Sequence, residues 1–184
     1  MLRRLLTAVF SVLLSLTFVQ TLAASPAAAA TEPGIQVRTV YYDATYAGEF
    51  RTTFNNAASV WNSRVTNVRL VAGSPSTVRI YVDDGWPRAY VSGLGRGTIY
   101  MGRTAVNQGY YPLRIATHEL GHILGLPDRR TGLCSDLMSG SSAPVSCTNA
   151  YPSSAEAAEV NRLFAGFAAA TSGTAVYSEA PVQR

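Results

Sequence analysis

Two histidines and a glutamate lie within five residues of one another near the centre of the sequence, as His118, Glu119 and His122. The spacing of the apolar residues around them predicts a helix over residues 113–124. Residues four apart on a helix project from the same face, so the two imidazoles can bind one metal ion. This pattern is typical of zinc hydrolysis, because Glu119 can then take a proton from a zinc-coordinated water.

A third ligand follows the predicted helix. Gly125 allows the chain to reverse sharply, and Asp128 can bring a carboxylate oxygen back to the metal. Three protein ligands leave one position for water, as catalytic zinc sites require. A Glu ligand from a later helix is disfavoured, because no Glu occurs between Glu119 and Glu156 and Glu156 lacks the Asp that usually follows such a ligand, so Asp128 is the better candidate.

A zinc-stabilised binding module is the alternative from a non-enzyme class. Structural zinc sites are normally closed by four Cys or His ligands, whereas this sequence offers only His118, His122 and Asp128 beside an intact Glu119. The sequence therefore favours a zinc peptidase with Glu119 as its catalytic residue. Its partners are then protein or peptide substrates.

The first thirty residues have the composition of a secretory signal peptide. Arg3 and Arg4 precede an apolar run over residues 5–22, and small residues follow at 23–30. An uncleaved membrane anchor is the alternative, but Ser, Thr and Gln interrupt the apolar run. We expect cleavage after residues 1–30, a short propeptide reaching at most about residue 36, and a secreted, extracellular protein without membrane association.

The charge of the chain argues against nucleic-acid binding. Its net charge is +4, and without Arg3 and Arg4 the 15 cationic residues fall to 13 against 11 acidic ones. The remaining arginines form no basic stripe that could follow a phosphate backbone. Nothing indicates an oligomer, so we expect a monomer.

The only two cysteines, Cys134 and Cys147, are expected to pair. An exported chain folds in an oxidising compartment, where a disulfide that closes a short loop contributes about 3 kcal/mol. The pairing excludes both thiols as metal ligands.

Hydrophobic periodicity predicts an α+β fold in one domain over residues 37–170, followed by a loose C-terminal tail over 171–184. Composition predicts a loop at 83–97, and its glycines lead into a strand, unlike those of a dinucleotide-binding loop. We expect the short strand at 98–101 to lie at a sheet edge. The predicted helices are 47–65, 113–124 and 154–167, and the predicted strands are 35–42, 68–71, 78–82 and 98–101.

Residues 135–140 place Met138 in a short segment between the two cysteines. Together with the zinc motif, this resembles the metzincin peptidases, in which a methionine turn lies beneath the metal. The Asp in place of a third His, the small size and the Cys134–Cys147 loop around Met138 resemble snapalysin, the small neutral protease family, over residues 37–167. The resemblance implies a short twisted mixed sheet with three helices, and a zinc cleft between the upper part of the domain and the Met-turn region.

The resemblance also implies how substrate binds and where this chain departs from the family. A peptide is expected to pair antiparallel with the strand at 98–101, with preference for an aromatic residue on the carboxyl side of the cut. Arg130 stands where relatives have an oxyanion-stabilising Tyr; it is either a substitute cation or a surface residue, with Tyr151 as another candidate. Residues 108–112 lack the carboxylate of the family's calcium site, so we expect that site to be absent.

Overall fold

The computed structural model describes residues 36–166 and 174–180, in which six strands form one mixed sheet. The strands are β1 (Arg38–Tyr46), β2 (Val68–Ala72), β3 (Val78–Asp83), β4 (Arg88–Gly93), β5 (Arg96–Gly102) and β6 (Ala175–Ser178). Their spatial order is β2-β1-β3-β5-β4-β6. The first four of these are parallel, whereas β4 runs antiparallel to both β5 and β6. The predicted signal peptide, residues 1–30, lies outside the described residues.

Three helices of 12 residues and one short helix accompany the sheet. They are α1 (Arg51–Asn62), α2 (Arg103–Asn107), α3 (Pro112–Ile123) and α4 (Ser154–Ala165). The mixed sheet with these helices confirms the predicted α+β class. No helix in the described part of the chain is long and apolar enough to cross a membrane.

The core lies between the sheet and the pair α1 and α3, which pack on each other and on the strands. Its centre is Trp61 of α1, whose side chain is fully buried and whose indole N–H donates a 2.8 Å hydrogen bond to the carbonyl of Thr117 on α3. This bond fixes the position of α3 relative to α1. The face of α3 that holds the histidines is thereby set relative to the sheet.

The crossover from β1 through α1 to the parallel strand β2 agrees with the predicted strand, helix, strand unit. The predicted turn after residue 42 is wrong, because β1 continues to Tyr46. The pairing of β1 with β3 changes register between Asp43 and Tyr46. This irregularity lets the strand extend past the residues that composition favours for a turn.

Two predictions about residues 83–101 are also wrong. The predicted loop at 83–97 contains β4, in which Ala89 and Val91 are buried and their neighbours are more exposed. The predicted edge strand at 98–101 is part of β5, which is an internal strand between β3 and β4. The glycines were interpreted as a loop, but Gly95, at φ 74°, forms the tight turn of the β4–β5 hairpin. Because β4 was missed, β5 was predicted to lie at the edge of the sheet.

Candidate metal centre

Helix α3 presents the predicted zinc motif from a buried position. Pro112 occupies its first turn, and the chain reverses at Gly125, whose φ is 97°. The N–H of Gly125 bonds to the carbonyl of His122, and the N–H of Leu126 bonds to the carbonyl of Gly121. This is the Schellman arrangement, which satisfies the last carbonyls of the helix. It turns the following residues back toward the histidines, as the sequence predicted for Asp128.

The two imidazoles are oriented by main-chain carbonyls. Nδ1 of His118 donates to the carbonyl of Leu137 at 3.0 Å, and Nδ1 of His122 donates to the carbonyl of Leu126 at 2.8 Å. With the proton on Nδ1, each Nε2 has a free lone pair, as metal-binding histidines require. The two Nε2 atoms lie only 3.0 Å apart.

Two carboxylates face these nitrogens. Asp128 Oδ1 lies 3.3 Å from Nε2 of His118 and 3.6 Å from Nε2 of His122. Glu179 Oε1 lies 2.7 Å from Nε2 of His118. All four side chains offer a ligand atom within 4.8 Å of the others. The structure thus brings together the three predicted ligands and adds Glu179, which the sequence did not identify.

A divalent cation fits this arrangement. Two nitrogen lone pairs and two carboxylate oxygens converge, and the buried oxygens Asp128 Oδ1 and Glu179 Oε1 have no hydrogen-bond partner. Such groups are costly to bury unless a cation or a proton lies among them. Mixed imidazole and carboxylate ligands are typical of zinc.

The electrostatics of the site favour positive charge at its centre. Burial opposes protonation of His118, yet the carboxylates of Glu179 and Asp128 raise its pKa well above the usual value. Burial acts against Glu179 too, but the charges of His118 and Arg130 hold the pKa of that carboxyl well below its usual range. Burial and neighbouring His118 lower the pKa of His122 to about 3, so this imidazole is neutral.

Glu119 is fully buried beside the ligands, and neither of its carboxylate oxygens has a hydrogen-bond partner. Burial raises its pKa well above the usual value. A carboxylate in such surroundings is a strong proton acceptor. The general-base role of Glu119 stays a prediction.

Met138 lies directly beneath α3. It is fully buried within the short 3-10 segment Leu137–Ser142, and its Sδ would be 2.7 Å from a Cβ placed on Gly121. The absence of a side chain at Gly121 therefore allows the sulfur to approach the helix between the two histidines. The role of Met138 in a turn beneath a metal stays a prediction.

Arg114 joins α3 to the disulfide loop. The structure contains the predicted disulfide between Cys134 and Cys147, with Cα atoms 5.6 Å apart. The buried guanidinium of Arg114 donates to the carbonyls of Cys134, Asp136 and, at 2.6 Å, Asn149. One cation on α3 thus binds main-chain carbonyls on both sides of the loop.

Arg130 is not an isolated surface cation, which the sequence had left as one of two possibilities. Its guanidinium donates to Asp128 Oδ2 at 3.0 Å, to Glu179 Oε2 at 3.2 Å and to Ser141 Oγ at 2.8 Å. Tyr151 is 47% exposed and stacks with Arg64 instead. Of the two candidates for oxyanion stabilisation, Arg130 is therefore the one in contact with the carboxylates of Asp128 and Glu179.

An apolar pocket adjoins His118 in the same cleft. Trp86, Tyr110, Tyr111 and Ile115 line it, and Glu179 lies at its wall. The rings of Trp86 and Tyr110 meet edge to face at 6.3 Å. Such walls can bind an apolar or aromatic side chain next to the candidate metal ligands.

Comparisons with known proteins give a consistent result. The model of the Streptomyces extracellular neutral proteinase (M7) family matches residues 37–167. The extracellular small neutral protease of Streptomyces sp. (strain C5) is 48% identical over 136 residues, which cover 72% of this chain and 59% of that protein. The protein of the same name from Streptomyces lividans is 45% identical over 152 residues, which cover 80% of this chain and 64% of that protein. The extracellular small neutral protease of Streptomyces caespitosus is 44% identical over 129 residues, which cover 69% of this chain and 97% of that protein.

Matched lengths differ between these relatives. The chain spans only 59% and 64% of the first two proteins but 97% of the third. The matched region contains His118, Glu119, His122 and Asp128, together with the Cys134–Cys147 loop. Glu179 lies beyond it.

Proposed function

This chain belongs to the Streptomyces extracellular neutral proteinase (M7) family, and we propose that it is a secreted zinc endopeptidase. The membership confirms the resemblance to the small neutral proteases. The observation that carries the proposed chemistry is the convergence of His118, His122 and Asp128 around one point, with the unpaired carboxylate of Glu119 beside it. We assign these three residues as ligands of one zinc ion per chain.

Zinc, when bound, supplies Lewis acidity: it polarises a carbonyl oxygen and lowers the pKa of a coordinated water to about 7. Glu119 then takes the proton of the attacking water and delivers it to the leaving nitrogen. Burial raises the pKa of Glu119, which favours taking the proton, and the proton then passes to the leaving nitrogen because an expelled amine is the stronger base. Arg130, whose guanidinium contacts Asp128 at the site, is the cation available to stabilise the developing oxyanion.

We propose that the substrate binds along β4 rather than along the strand predicted at 98–101. Within the part of the sheet matched by the family model, β4 is the last strand, and its outer main-chain groups, which pair with Ala175–Ser178 in this structure, would bind an extended peptide in place of that segment. The pocket walled by Trp86, Tyr110 and Tyr111 then accepts the residue on the carboxyl side of the cut. Its aromatic walls support the proposed preference for an aromatic side chain.

The remaining expectations from the sequence enter this proposal unchanged. Residues 1–30 direct secretion and are removed, and residues 37–170 form the peptidase domain. The protein acts as a monomer in the extracellular space on protein or peptide substrates. No calcium binds at residues 108–112, because that stretch contains no carboxylate.

A structural zinc site remains the second candidate, and one observation favours it. Glu179 provides a fourth ligand atom, and sites closed by four protein ligands are normally structural. The number of protein ligands therefore does not distinguish a catalytic from a structural zinc site here. Glu119 does, since a structural site has no use for an unpaired buried carboxylate beside the metal.

The test is the variant Glu119→Gln, compared with the parent for casein cleavage and for bound zinc. We expect bound zinc to be retained and the cleavage rate to fall by about 10²–10⁴-fold, as loss of a general base produces. Glu159→Gln is the matched control, because Glu159 pairs with Arg129 at the surface. A zinc-loaded parent that does not cleave casein, or a Glu119→Gln variant with the parent's rate, would contradict the proposal.

A further inference from the structure

The segment 174–180 lies in the cleft as an added strand. Its residues Ala175–Ser178 form β6, which pairs antiparallel with β4 from Arg88↔Ser178 to Val91↔Ala175. The N–H of Glu179 continues the ladder with a 3.0 Å bond to the carbonyl of Pro87. The prediction of a loose tail over 171–184 is therefore wrong for these residues.

The side chains of this segment alternate between solvent and the metal centre, as strand geometry requires. Val176 is 64% exposed, whereas Glu179 is only 5% exposed. Tyr177, two residues before Glu179, stacks on the imidazole of His122 with ring centroids 4.0 Å apart and planes at 4°. Both inward side chains thus contact the histidines of the zinc motif.

Further contacts tie the carboxylate of Glu179 to the opposite wall of the cleft. Its Oε2 accepts hydrogen bonds from the Arg130 guanidinium and from the N–H of Ser141. Arg130 also donates to the carbonyl of Ser178 at 2.8 Å. Gly140 permits this approach, since a Cβ there would lie 2.4 Å from Glu179 Oε2. The segment is therefore bound on both sides of the cleft.

We infer that the segment 174–180 is an internal inhibitor that occupies the substrate position on β4, with Glu179 as a fourth ligand of the metal. The inference rests on the proposed function. A strand added to β4 takes the hydrogen-bonding groups that an extended peptide substrate needs. The carboxylate of Glu179 closes the site, and a site closed by four protein ligands leaves no position for the attacking water.

Two observations separate this role from an ordinary structural strand. The segment lies outside residues 37–167, which the family model matches and which already contain the three assigned ligands and Glu119. Moreover, Glu179 Oε1 is buried without a hydrogen-bond partner and faces His118. A strand that served only the sheet would not need a buried carboxylate aimed at the zinc ligands. Activity then requires substrate to displace the segment.

The test is Glu179→Gln in the full chain, with zinc affinity and casein cleavage measured separately. We expect the zinc dissociation constant, from competition with a chromogenic chelator, to rise on the order of tenfold. We expect kcat/KM to rise about fivefold or more, because activity follows the fraction of molecules with a free cleft. Glu159→Gln is the matched control and should change neither quantity.

Opposite changes in zinc affinity and activity distinguish inhibition from a structural role, which would lower both. An unchanged zinc dissociation constant overturns the ligand assignment, and an unchanged or reduced kcat/KM overturns the inhibition. If neither the parent nor the variant cleaves casein with zinc bound, the proposed function is wrong, and the proposed inhibition is wrong with it. The zinc dissociation constants would still decide whether Glu179 is a metal ligand. The cobalt-substituted protein gives a readout independent of activity: its visible absorption should differ between parent and Glu179→Gln, and identical spectra contradict the assignment.

A synthetic peptide with the sequence of residues 174–180 provides a test that does not depend on the folding of a variant. Added to the parent protein, it should inhibit casein cleavage competitively, because it competes with substrate for β4. The same peptide with Gln in place of Glu should inhibit at least about tenfold more weakly, since it lacks the ligand carboxylate. Equal inhibition by both peptides, or none by either, contradicts the inference.

Discussion

The main-chain N–H of Met138 donates a 2.7 Å hydrogen bond to the carboxylate of Glu156, which is only 2% exposed. The same carboxylate accepts from the N–H of Leu137 and from the N–H of Ser153, where it completes the capping box of α4. One buried charge therefore begins a helix and fixes the turn beneath the metal centre. Glu156, which the sequence excluded as a zinc ligand, supports the site through this turn.

Glu156→Gln should destabilise the fold and loosen the turn around Met138. The amide cannot accept all of these bonds, and hydrogen bonds to charged groups contribute about 1.5–3 kcal/mol. We expect a loss of this size in the free energy of unfolding, measured by urea denaturation. Glu159→Gln on the same helix should lose far less, because its ion pair with Arg129 is partly exposed. Equal losses in the two variants would show that Glu156 has no special role.

Gly121→Ala should be destabilising although alanine favours helices. Helix propensity alone would stabilise the variant by about 1 kcal/mol. The new Cβ, however, would lie 2.7 Å from Met138 Sδ and 3.2 Å from the Trp61 ring, both fully buried. Overpacking of this kind costs about 1–3 kcal/mol. Thermal denaturation shows whether the variant is more or less stable than the parent, and a higher melting temperature in Gly121→Ala would contradict the described packing.

Zinc should stabilise the parent protein in proportion to its concentration. A ligand that binds only the folded state adds about 2.7 kcal/mol at 100 times its dissociation constant. We expect a chelator to lower the melting temperature and zinc to restore it. In Asp128→Asn the zinc-dependent shift should shrink, because a charged ligand is replaced by a neutral amide. An undiminished shift in that variant would argue against Asp128 as a ligand.

The double variant Cys134→Ser, Cys147→Ser should be less stable than the parent, because its unfolded chain is no longer constrained by the disulfide. The bridge spans 13 residues, and a loop of about this length is expected to contribute about 3 kcal/mol. Urea denaturation of the double variant and of the reduced parent should give similar losses. We also expect weaker zinc binding, because Leu137, whose carbonyl orients His118, belongs to this loop.

The sequence predicted the parts of the site that depend on short spacing. His118, Glu119 and His122 lie on one helix, and Gly125 with Asp128 follows within a single reversal, so local geometry determines their placement. The disulfide followed from the presence of only two cysteines. Helix α1 was predicted from the apolar periodicity of its residues, and α4 from the start signal of Ser154 with Glu156.

The remaining features depend on contacts between distant residues. Glu179 reaches His118 across about sixty residues of sequence, and nothing in its neighbourhood marks it as a ligand. The only available signal was the short alternating stretch Ala175–Ser178, which is too brief to distinguish from a tail. Composition concealed β4 as well, because Pro87 and the hairpin glycines surround it. Because β4 was missed, the strand at 98–101 was predicted to lie at an edge, although β5 lies between β3 and β4.

Arg114 and Glu156 contact the disulfide loop only through its main chain. The Arg114 guanidinium donates to carbonyls of the loop, and the Glu156 carboxylate accepts from N–H groups of the turn around Met138. Main-chain groups are the same for every residue type except proline at the N–H positions. The exposed side chains of this loop, such as Leu133 and Val145, are therefore free to diverge during evolution. Substitutions on the outer surface of this loop therefore leave intact the main-chain contacts that hold the turn under α3.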